Sequence, residues 1–256
     1  MHYFISFLDM FQRDNLERRL IYLDLDSAIK NTDVNINNLT GAIERILLQI
    51  FQNIPDDELI FTIQYSQGIN YVTGKKHSLN NYEYSSMLQG YLGNIIQNTY
   101  EKIKYELGLS REMVSINTRI IYDRSSMSIL DIPERNAIGS LASDGYIPVA
   151  MAGTAVSMFP HLQYFEYAGI NPDIDAASSF LSTLLDADEY LILYDFNNLI
   201  NRNLGSKINN INNYLINRGD KNTLNKLISI KGFLDRGGKK ASIHMPDNFN
   251  DYLQFF

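Results

Sequence analysis

Several residue types are missing or scarce in this chain of 256 residues, and each absence excludes a class of chemistry. There is no cysteine, which excludes a disulfide framework, a cysteine-ligated metal and a thiol nucleophile. The four histidines are scattered along the chain without the spacing of metal ligands: His2, His77, His161 and His244. We therefore expect no metal-binding site built from these residue types.

Long hydrophobic runs and an excess of positive charge are also absent. No apolar stretch reaches the roughly 18 residues that a transmembrane helix needs. Asp9 interrupts the apolar N-terminal stretch, which also lacks the basic leader of a signal peptide. The formal net charge of −7 argues against a surface for nucleic acid or for anionic membranes. We expect a cytoplasmic protein that binds neither.

The chain does contain alternating helical and strand patterns over most of its length. Hydrophobic residues make up 45% of it, enough for one large α/β domain with a substantial core. Apolar residues recur at helical spacing over 36–51 and 84–107, and 113–123 is typical of a strand. An apolar stripe at helical spacing over residues 1–17 predicts a helical N-terminal extension, followed by a single domain over 18–256.

Residues 173–195 form the most informative segment. Asp173 and Asp175 stand at the start of a helical pattern, where acidic groups favour the helix dipole and the unpaired N–H groups. Asp186-Ala187-Asp188 ends that pattern, and a short buried strand follows it. This unit resembles the amino-acid-kinase family, and within it the carbamate kinases, whose segment reads Asp-Lys-Asp, a helix, Asp-Ala-Asp and a strand. Ile174 stands where that family has a lysine.

The resemblance extends in order from about Leu20 to Met245 and includes Gly237-Gly238-Lys239-Lys240-Ala241 after the last helix. With the strand–helix alternation, it implies a three-layer α/β/α sandwich with a mainly parallel central sheet. It also implies that Asp175 and Lys226 are remnants of a catalytic set, in which an aspartate orients lysines and a lysine contacts phosphate. The residues implied to be remnants of nucleotide- or phosphate-binding loops are Gly68, Gly153 and Asn197.

The chain departs from the family pattern at its glycine loops and at its lid. The Gly-Gly-Asn-Ala of the first strand is replaced by a segment with two carboxylates, Asp24 and Asp26. Two such charges repel a phosphate by roughly 1 to 4 kcal/mol per close pair. Four glycines after the fourth strand, expected to end at Met151, become Ala152-Gly153-Thr154-Ala155. Only residues 124–133 stand where the family has a long lid subdomain.

Because these losses converge on one site, our leading hypothesis is a carbamate-kinase-like protein that is catalytically impaired. Such a protein acts as a binding or structural subunit, in a homodimer or a larger protein assembly, and needs no cofactor. Aromatic residues along the helix over 84–107 are a candidate surface for that assembly: Tyr84, Tyr91 and Tyr100.

Two alternatives remain open at this point. One is an active carbamate kinase that uses ADP and Mg²⁺ to make ATP from carbamoyl phosphate in arginine breakdown. The other, a minor one, comes from Asp24 and Asp26 directly after a hydrophobic strand. That arrangement resembles the first motif of haloacid-dehalogenase phosphatases, in which one aspartate is the nucleophile.

Overall fold

A computed structural model describes residues 16–28, 36–54, 57–64, 81–159, 164–167, 173–195, 207–208 and 221–256. The strands in these ranges are β1 (Arg18–Asp24), β2 (Glu58–Gln64), β3 (Met113–Asp123), β4 (Ile129–Asp131), β5 (Ile147–Phe159), β6 (Tyr164–Tyr167), β7 (Glu189–Leu193), β8 (Lys207–Ile208), β9 (Lys240–Met245) and β10 (Asn248–Phe255). The helices are α1 (Leu25–Ala28), α2 (Ile36–Asn53), α3 (Asn81–Leu107), α4 (Arg135–Ser143), α5 (Ile174–Leu184) and α6 (Lys221–Asp235).

All of these strands belong to one sheet with the order β4-β3-β5-β2-β1-β7-β9-β10-β8, and β6 pairs with β5. Neighbouring strands are parallel except for β3 with β4, β5 with β6 and β9 with β10. The predicted mainly parallel central sheet is therefore confirmed.

The sheet buries both of its faces, as successive residues of β1 illustrate. Ile21 and Leu23 join a core formed with α2 and α3, whereas Leu20 and Tyr22 join a core formed with α4, α5 and α6. This alternation follows from the two-residue repeat of a strand. It confirms the predicted three-layer architecture.

The turn motif after α5 ties that helix to the first strand of the sheet. Asp173 caps α5 by accepting a hydrogen bond from the Ala176 N–H at 3.0 Å. At the other end Asp186 takes a left-handed conformation with φ of 50°, and the Asp188 N–H donates to the Arg18 carbonyl at 2.8 Å. The predicted helix, turn and strand are thus observed, and the acidic residues have structural roles in them.

The glycine pair after α6 also has a structural explanation. Gly237 has φ of 95°, and its N–H donates to the Leu234 carbonyl at 3.0 Å, which ends the helix in the usual way. A Cβ on Gly238 would overlap the ring of Phe233, a core residue. Both positions therefore require glycine for packing or backbone reasons.

Strand β5 differs from the sequence expectation. It continues through residues 152–155, the segment that aligns with a glycine loop, and ends only at Phe159. Its pairing with β3 shifts register at this point, from Asn117 opposite Met151 to Arg119 opposite Thr154. The strand persists because Ala155, like its β3 partner Ile120, is buried in a local apolar cluster.

A short hairpin joins β3 to β4 within residues 124–133, the segment that stands in place of the family's lid subdomain. The Met127 N–H donates to the Asp123 carbonyl at 2.8 Å, and the Asp123 carboxylate accepts from the N–H groups of Ser125 and Ser126. These bonds close a tight turn, from which the chain returns as β4 and then enters α4.

One of the three aromatic residues of α3 that were expected at an interface lies in the domain core. Tyr100 is fully buried, its hydroxyl donates to the Arg111 carbonyl at 2.8 Å, and its ring centroid lies 5.2 Å from that of Phe51. Tyr91 is partly buried against the same core, and the side chain of Tyr84 lies outside the described residues. The prediction is wrong for Tyr100, because this face of α3 covers the sheet.

Some predictions fall on residues that the structure does not describe. They include residues 1–15 of the N-terminal extension, Gly68, Asn197 and the side chain of Asp26. None of the helices in the described part of the chain is long and apolar enough to cross a membrane.

Candidate functional site

The candidate site lies where the carboxyl ends of β1, β2 and β7 meet α5 and α6. Its charged residues are Asp24 at the end of β1, Asp175 in the first turn of α5, and Lys226 in α6. In α/β proteins with parallel sheets, ligands bind outside the carboxyl ends of the strands. The position is therefore one at which a functional site is expected.

Lys226 is buried because it lies on the face of α6 that packs on the sheet. Thr223, Ser229 and Ile230, which lie three or four residues away along the helix, are buried on the same face. The lysine side chain is 2% exposed. A lysine is almost never fully buried unless it is paired, so its partners determine what it can do.

Three oxygen atoms of the protein surround the Lys226 ammonium group. Nζ donates hydrogen bonds to Asp175 Oδ1 at 2.6 Å and to the Tyr22 hydroxyl at 3.1 Å, and it forms an ion pair with Asp24 Oδ2 at 2.8 Å. An ammonium group has three donors and no acceptor. The ammonium group is therefore held by the protein's own side chains.

Two tyrosine rings complete the surroundings of the ammonium group. Nζ lies 4.8 Å from the ring centroid of Tyr22 and 5.5 Å from that of Tyr194, distances at which a cation is attracted to an aromatic face. Burial, and then the charges of Asp175 and Asp24, raise the pKa of Tyr22 well above its ordinary value. The phenol therefore keeps its proton and donates it to Gln64 Oε1.

The site contains one ammonium group and two carboxylates. Burial raises the pKa of Asp175, the charge and hydrogen bond of Lys226 act in the opposite direction, and the charges of Asp173 and Asp24 raise it further. The ammonium group thus shares its single charge between Asp24 and Asp175, and these three residues together have no surplus of positive charge to attract an anion.

Asp24 is held at both of its carboxylate oxygens. While Oδ2 contacts Lys226, Oδ1 accepts a hydrogen bond from the Ser27 N–H at 3.1 Å, and the Ser27 hydroxyl donates to the Asp24 carbonyl at 2.9 Å. The sequence analysis did not predict that Asp24 pairs with Lys226, and its expected repulsion of phosphate stays a prediction. The charge of Asp24 is compensated by Lys226, and the carboxylate occupies that lysine.

The structure brings together two of the predicted site residues and separates the others. Asp175 and Lys226 are in direct contact. Ile174 is partly buried against apolar side chains, including Tyr122 and Ala177, so the position of the family lysine faces a hydrophobic cluster. Gly153 lies within β5, not in a loop.

Sequence reasoning missed Tyr22 and Gln64 and did not recognise Asp24 as a partner of Lys226. One signal was available, because Lys226 interrupts the apolar face of a helix, where an unpaired charge is costly. Its hydrogen-bond partners Asp175 and Tyr22 lie 51 and 204 residues away along the chain. The parallel sheet creates that proximity, and no local spacing reports it.

The described residues do not fit a nucleotide phosphate or its magnesium ion. Lys226 is buried and paired with Asp24 and Asp175, and the segment that aligns with a phosphate loop lies within β5. Within the described ranges, no group of three or more histidine, aspartate or glutamate side chains could hold a metal ion. We therefore derive no reaction step through either group.

Comparisons with known proteins point to one class. No protein-family model matches the sequence. The chain is 25% identical over 154 residues to a carbamate kinase of Thermoplasma volcanium, a match that covers 43% of this chain and 50% of the relative. It is 24% identical over 216 residues to a carbamate kinase of Thermoplasma acidophilum, covering 64% of this chain and 70% of the relative. The matched segment thus spans only half the length of the first relative.

The fold comparison agrees with the sequence comparison. A structure of carbamate kinase from Giardia lamblia bound to AMP-PNP superposes with a TM-score of 0.81 at 14% identity, covering 94% of this chain and 99% of that one. The fold and the site together define an α/β protein with a charged cluster at the carboxyl edge of a parallel sheet. In fold, and in sequence at low identity, this protein is carbamate-kinase-like.

Proposed function

We propose that this protein is a catalytically impaired relative of carbamate kinase that acts as a binding or structural subunit. The observation that carries the proposal is the state of Lys226, which is 2% exposed, hydrogen-bonded to Asp175 and Tyr22, and ion-paired with Asp24. Phosphoryl transfer depends on positioning and on charges aimed at the phosphoryl group. A buried lysine that is paired with two carboxylates of its own chain supplies neither.

Two further features support this proposal. Asp24 and Ser27 close a hydrogen-bonded turn at the end of β1, where the family has a glycine loop. Ile174 replaces a lysine, and removing a comparable transition-state charge, such as an arginine finger, costs roughly 10³ to 10⁵ in rate. The core remains intact around these changes, which suits a fold kept after its chemistry was lost.

We expect the purified protein to form no ATP from carbamoyl phosphate and Mg-ADP. A coupled assay that reports ATP checks this, with an active carbamate kinase as the positive control. Calorimetry with Mg-ADP should likewise give no heat of binding in the micromolar range. Turnover that the Lys226→Ala variant abolishes would contradict the proposal, since it would show that the lysine is available to substrate.

A second candidate function is an active carbamate kinase with a rearranged site. The contact of 2.6 Å between Asp175 and Lys226 favours it, because these two residues match an acid and a lysine of the family motif. If the assay gave turnover, the Ile174→Lys variant should raise it further by restoring the second lysine. An unchanged or lower rate in a folded Ile174→Lys variant would argue against this candidate.

The phosphatase alternative receives no support from the site. It requires a carboxylate of the Asp24 segment to attack phosphate, but Asp24 is 5% exposed and contacts Lys226.

We expect the protein to be a homodimer in solution as its minimal unit. Large apolar side chains lie exposed on the described surface, among them Tyr105 at 92% and Ile228 at 52%, and aromatic residues are enriched in interface cores. Light scattering at micromolar concentration should give twice the chain mass of 29.4 kDa. A mass near that of one chain would refute the dimer.

Deleting residues 1–17 tests whether the N-terminal segment contributes to the dimer interface. If the segment contacts only a different partner protein, the shortened chain should still be a dimer.

A further inference from the structure

We propose that a cleft at the amino edge of the sheet, the edge at which the parallel strands begin, is the docking site of this chain's own N-terminal segment, residues 1–15. The cleft lies at the edge opposite the candidate functional site. Its occupant is the apolar stripe of that segment. The inference goes beyond the proposed function, because it assigns a partner to a different surface.

The position of the cleft follows from the parallel sheet. Glu58 begins β2, Glu112 directly precedes β3 and Tyr146 directly precedes β5, so these residues lie at the same edge. They line a cleft of about 390 Å³. Clefts that hold small ligands measure roughly 300–1,000 Å³, so this one accepts a few side chains. Four further residues contribute to its walls: Leu16, Arg111, Ala142 and Asp144.

Hydrogen bonds hold the walls of the cleft in place. The Arg18 guanidinium donates to Glu58 Oε2 at 2.8 Å and to Ser143 Oγ at 3.0 Å, which joins the start of β2 to the end of α4. On the other side of the cleft, the Ile147 N–H donates to the Glu112 carbonyl at 2.8 Å. Docking therefore needs no rearrangement of these walls, and a preformed site binds more tightly than one that must be ordered.

The chain itself brings the N-terminal segment to this cleft. Leu16 lines the cleft, and β1 starts at Arg18, close behind it. Residues 1–15 directly precede Leu16, so they are tethered at the wall of the cleft. A short tether gives a segment a high effective concentration at its binding site. The cleft is therefore within reach of the segment without a second chain.

The segment and the cleft are complementary in polarity. Ser6 and Asp9 fall on one face of the predicted helix, and the apolar stripe falls on the other. Such a stripe needs a surface that removes it from water. In the cleft Ala142 is buried, whereas Tyr146 is 40% exposed and has apolar area still to cover. The residues of the stripe are Tyr3, Phe4, Phe7, Leu8 and Phe11.

The first test uses fluorescence, since the chain contains no tryptophan. In Tyr146→Trp, removing residues 1–15 should shift the emission to longer wavelength and raise acrylamide quenching roughly twofold, because the indole is no longer covered. Leu130→Trp is the matched control, since Leu130 on β4 is 41% exposed, and the same deletion should leave its emission unchanged. Phe7→Asp/Phe11→Asp should reproduce the effect of the deletion, whereas Ser6→Asp should not.

The second test uses cross-linking, since the chain also contains no cysteine. In Met10→Cys/Asp144→Cys, which leaves the stripe intact, a short bis-maleimide should join the two positions within one chain, as mass spectrometry of the digested monomer reports. Met10→Cys/Leu130→Cys should give no such link. This test also decides the matter if the shortened chain or Tyr146→Trp loses its native circular dichroism.

Two results overturn the inference. One is equal quenching of a folded Tyr146→Trp protein with and without residues 1–15. The other is a cross-link between positions 10 and 144 that forms only between chains or not at all, because the segment then does not occupy the cleft of its own chain. Neither test measures ATP formation, so these outcomes are separate from failure of the proposed function.

Discussion

Replacing Lys226 with methionine is expected to lower the free energy of unfolding by roughly 3–5 kcal/mol, the usual effect of breaking a buried ion pair. The loss is large because the substitution leaves two carboxylates, Asp24 and Asp175, buried at 5% and 8% exposure without their cation. Methionine keeps a similar length and apolar stem, so the change is mainly one of charge. Urea denaturation followed by circular dichroism measures it.

Helix α6 offers a matched control for this prediction. Lys231 also forms an ion pair, with Asp235, but the two side chains are 33% and 60% exposed, so Lys231→Met should change stability by less than about 1 kcal/mol. Neutralising the whole buried cluster, in Asp24→Asn/Asp175→Asn/Lys226→Met, should recover much of the loss because no charge is then left unpaired. Equal effects at Lys226 and Lys231 would contradict the structural account of the buried cluster.

The fold could be predicted from the sequence to the extent that local signals specify it. The helical repeat over 36–51 and the strand over Met113–Asp123 depend on residues close together in the chain, and both are observed, the helix as α2 (Ile36–Asn53). The acidic cap of α5 is of the same kind, since Asp173 acts three residues along the chain on Ala176. Strand β5 was underestimated because its extension depends on pairing with β3, a long-range contact.

The candidate site was predictable only in part, for the same physical reason. Comparison with a family motif selected Asp175 and Lys226, and these residues are in contact. The role of Asp24 could not be predicted, because a carboxylate at a strand end repels an anion or pairs with a lysine depending on what the fold places beside it. The lysine that decides the matter lies on the last helix, far along the chain.

A second buried titratable group, His244, makes the stability of the folded protein depend on pH. Its ring is stacked between Phe249 and Tyr252, with centroid distances of 4.2 and 5.0 Å. Nδ1 lies 2.6 Å from the Phe249 carbonyl, which can only accept, so Nδ1 carries the proton and donates it. Nε2 lies 3.0 Å from the Ser242 hydroxyl oxygen, which in turn lies 2.7 Å from Oε1 of buried Glu189, and the one proton of that hydroxyl can be donated to only one of the two.

Burial lowers the pKa of His244 to about 4 from its ordinary value of 6.5. Burial is the largest cause of this value, which also includes the lowering effect of the positive charges of Arg19 and Lys240 and the raising effect of the Phe249 carbonyl and the charge of Glu189. Between these two values the unfolded chain binds a proton at this position and the folded protein does not. Stability must therefore fall as the pH falls from about 6.5 to about 4.

We expect this acid-dependent loss to approach about 3 kcal/mol, from 1.36 kcal/mol for each unit of pKa difference. The His244→Asn variant keeps a donor for the Phe249 carbonyl but cannot titrate, so its stability should depend less on pH across this window. Urea denaturation of both proteins at several pH values from 7 to 4 measures the difference. Asp175 has the opposite effect on stability. Because its pKa is raised in the folded protein, its contribution to the free energy of unfolding becomes smaller as the pH rises. Parallel curves for the wild type and the variant would show that His244 is not the group that responds to acid.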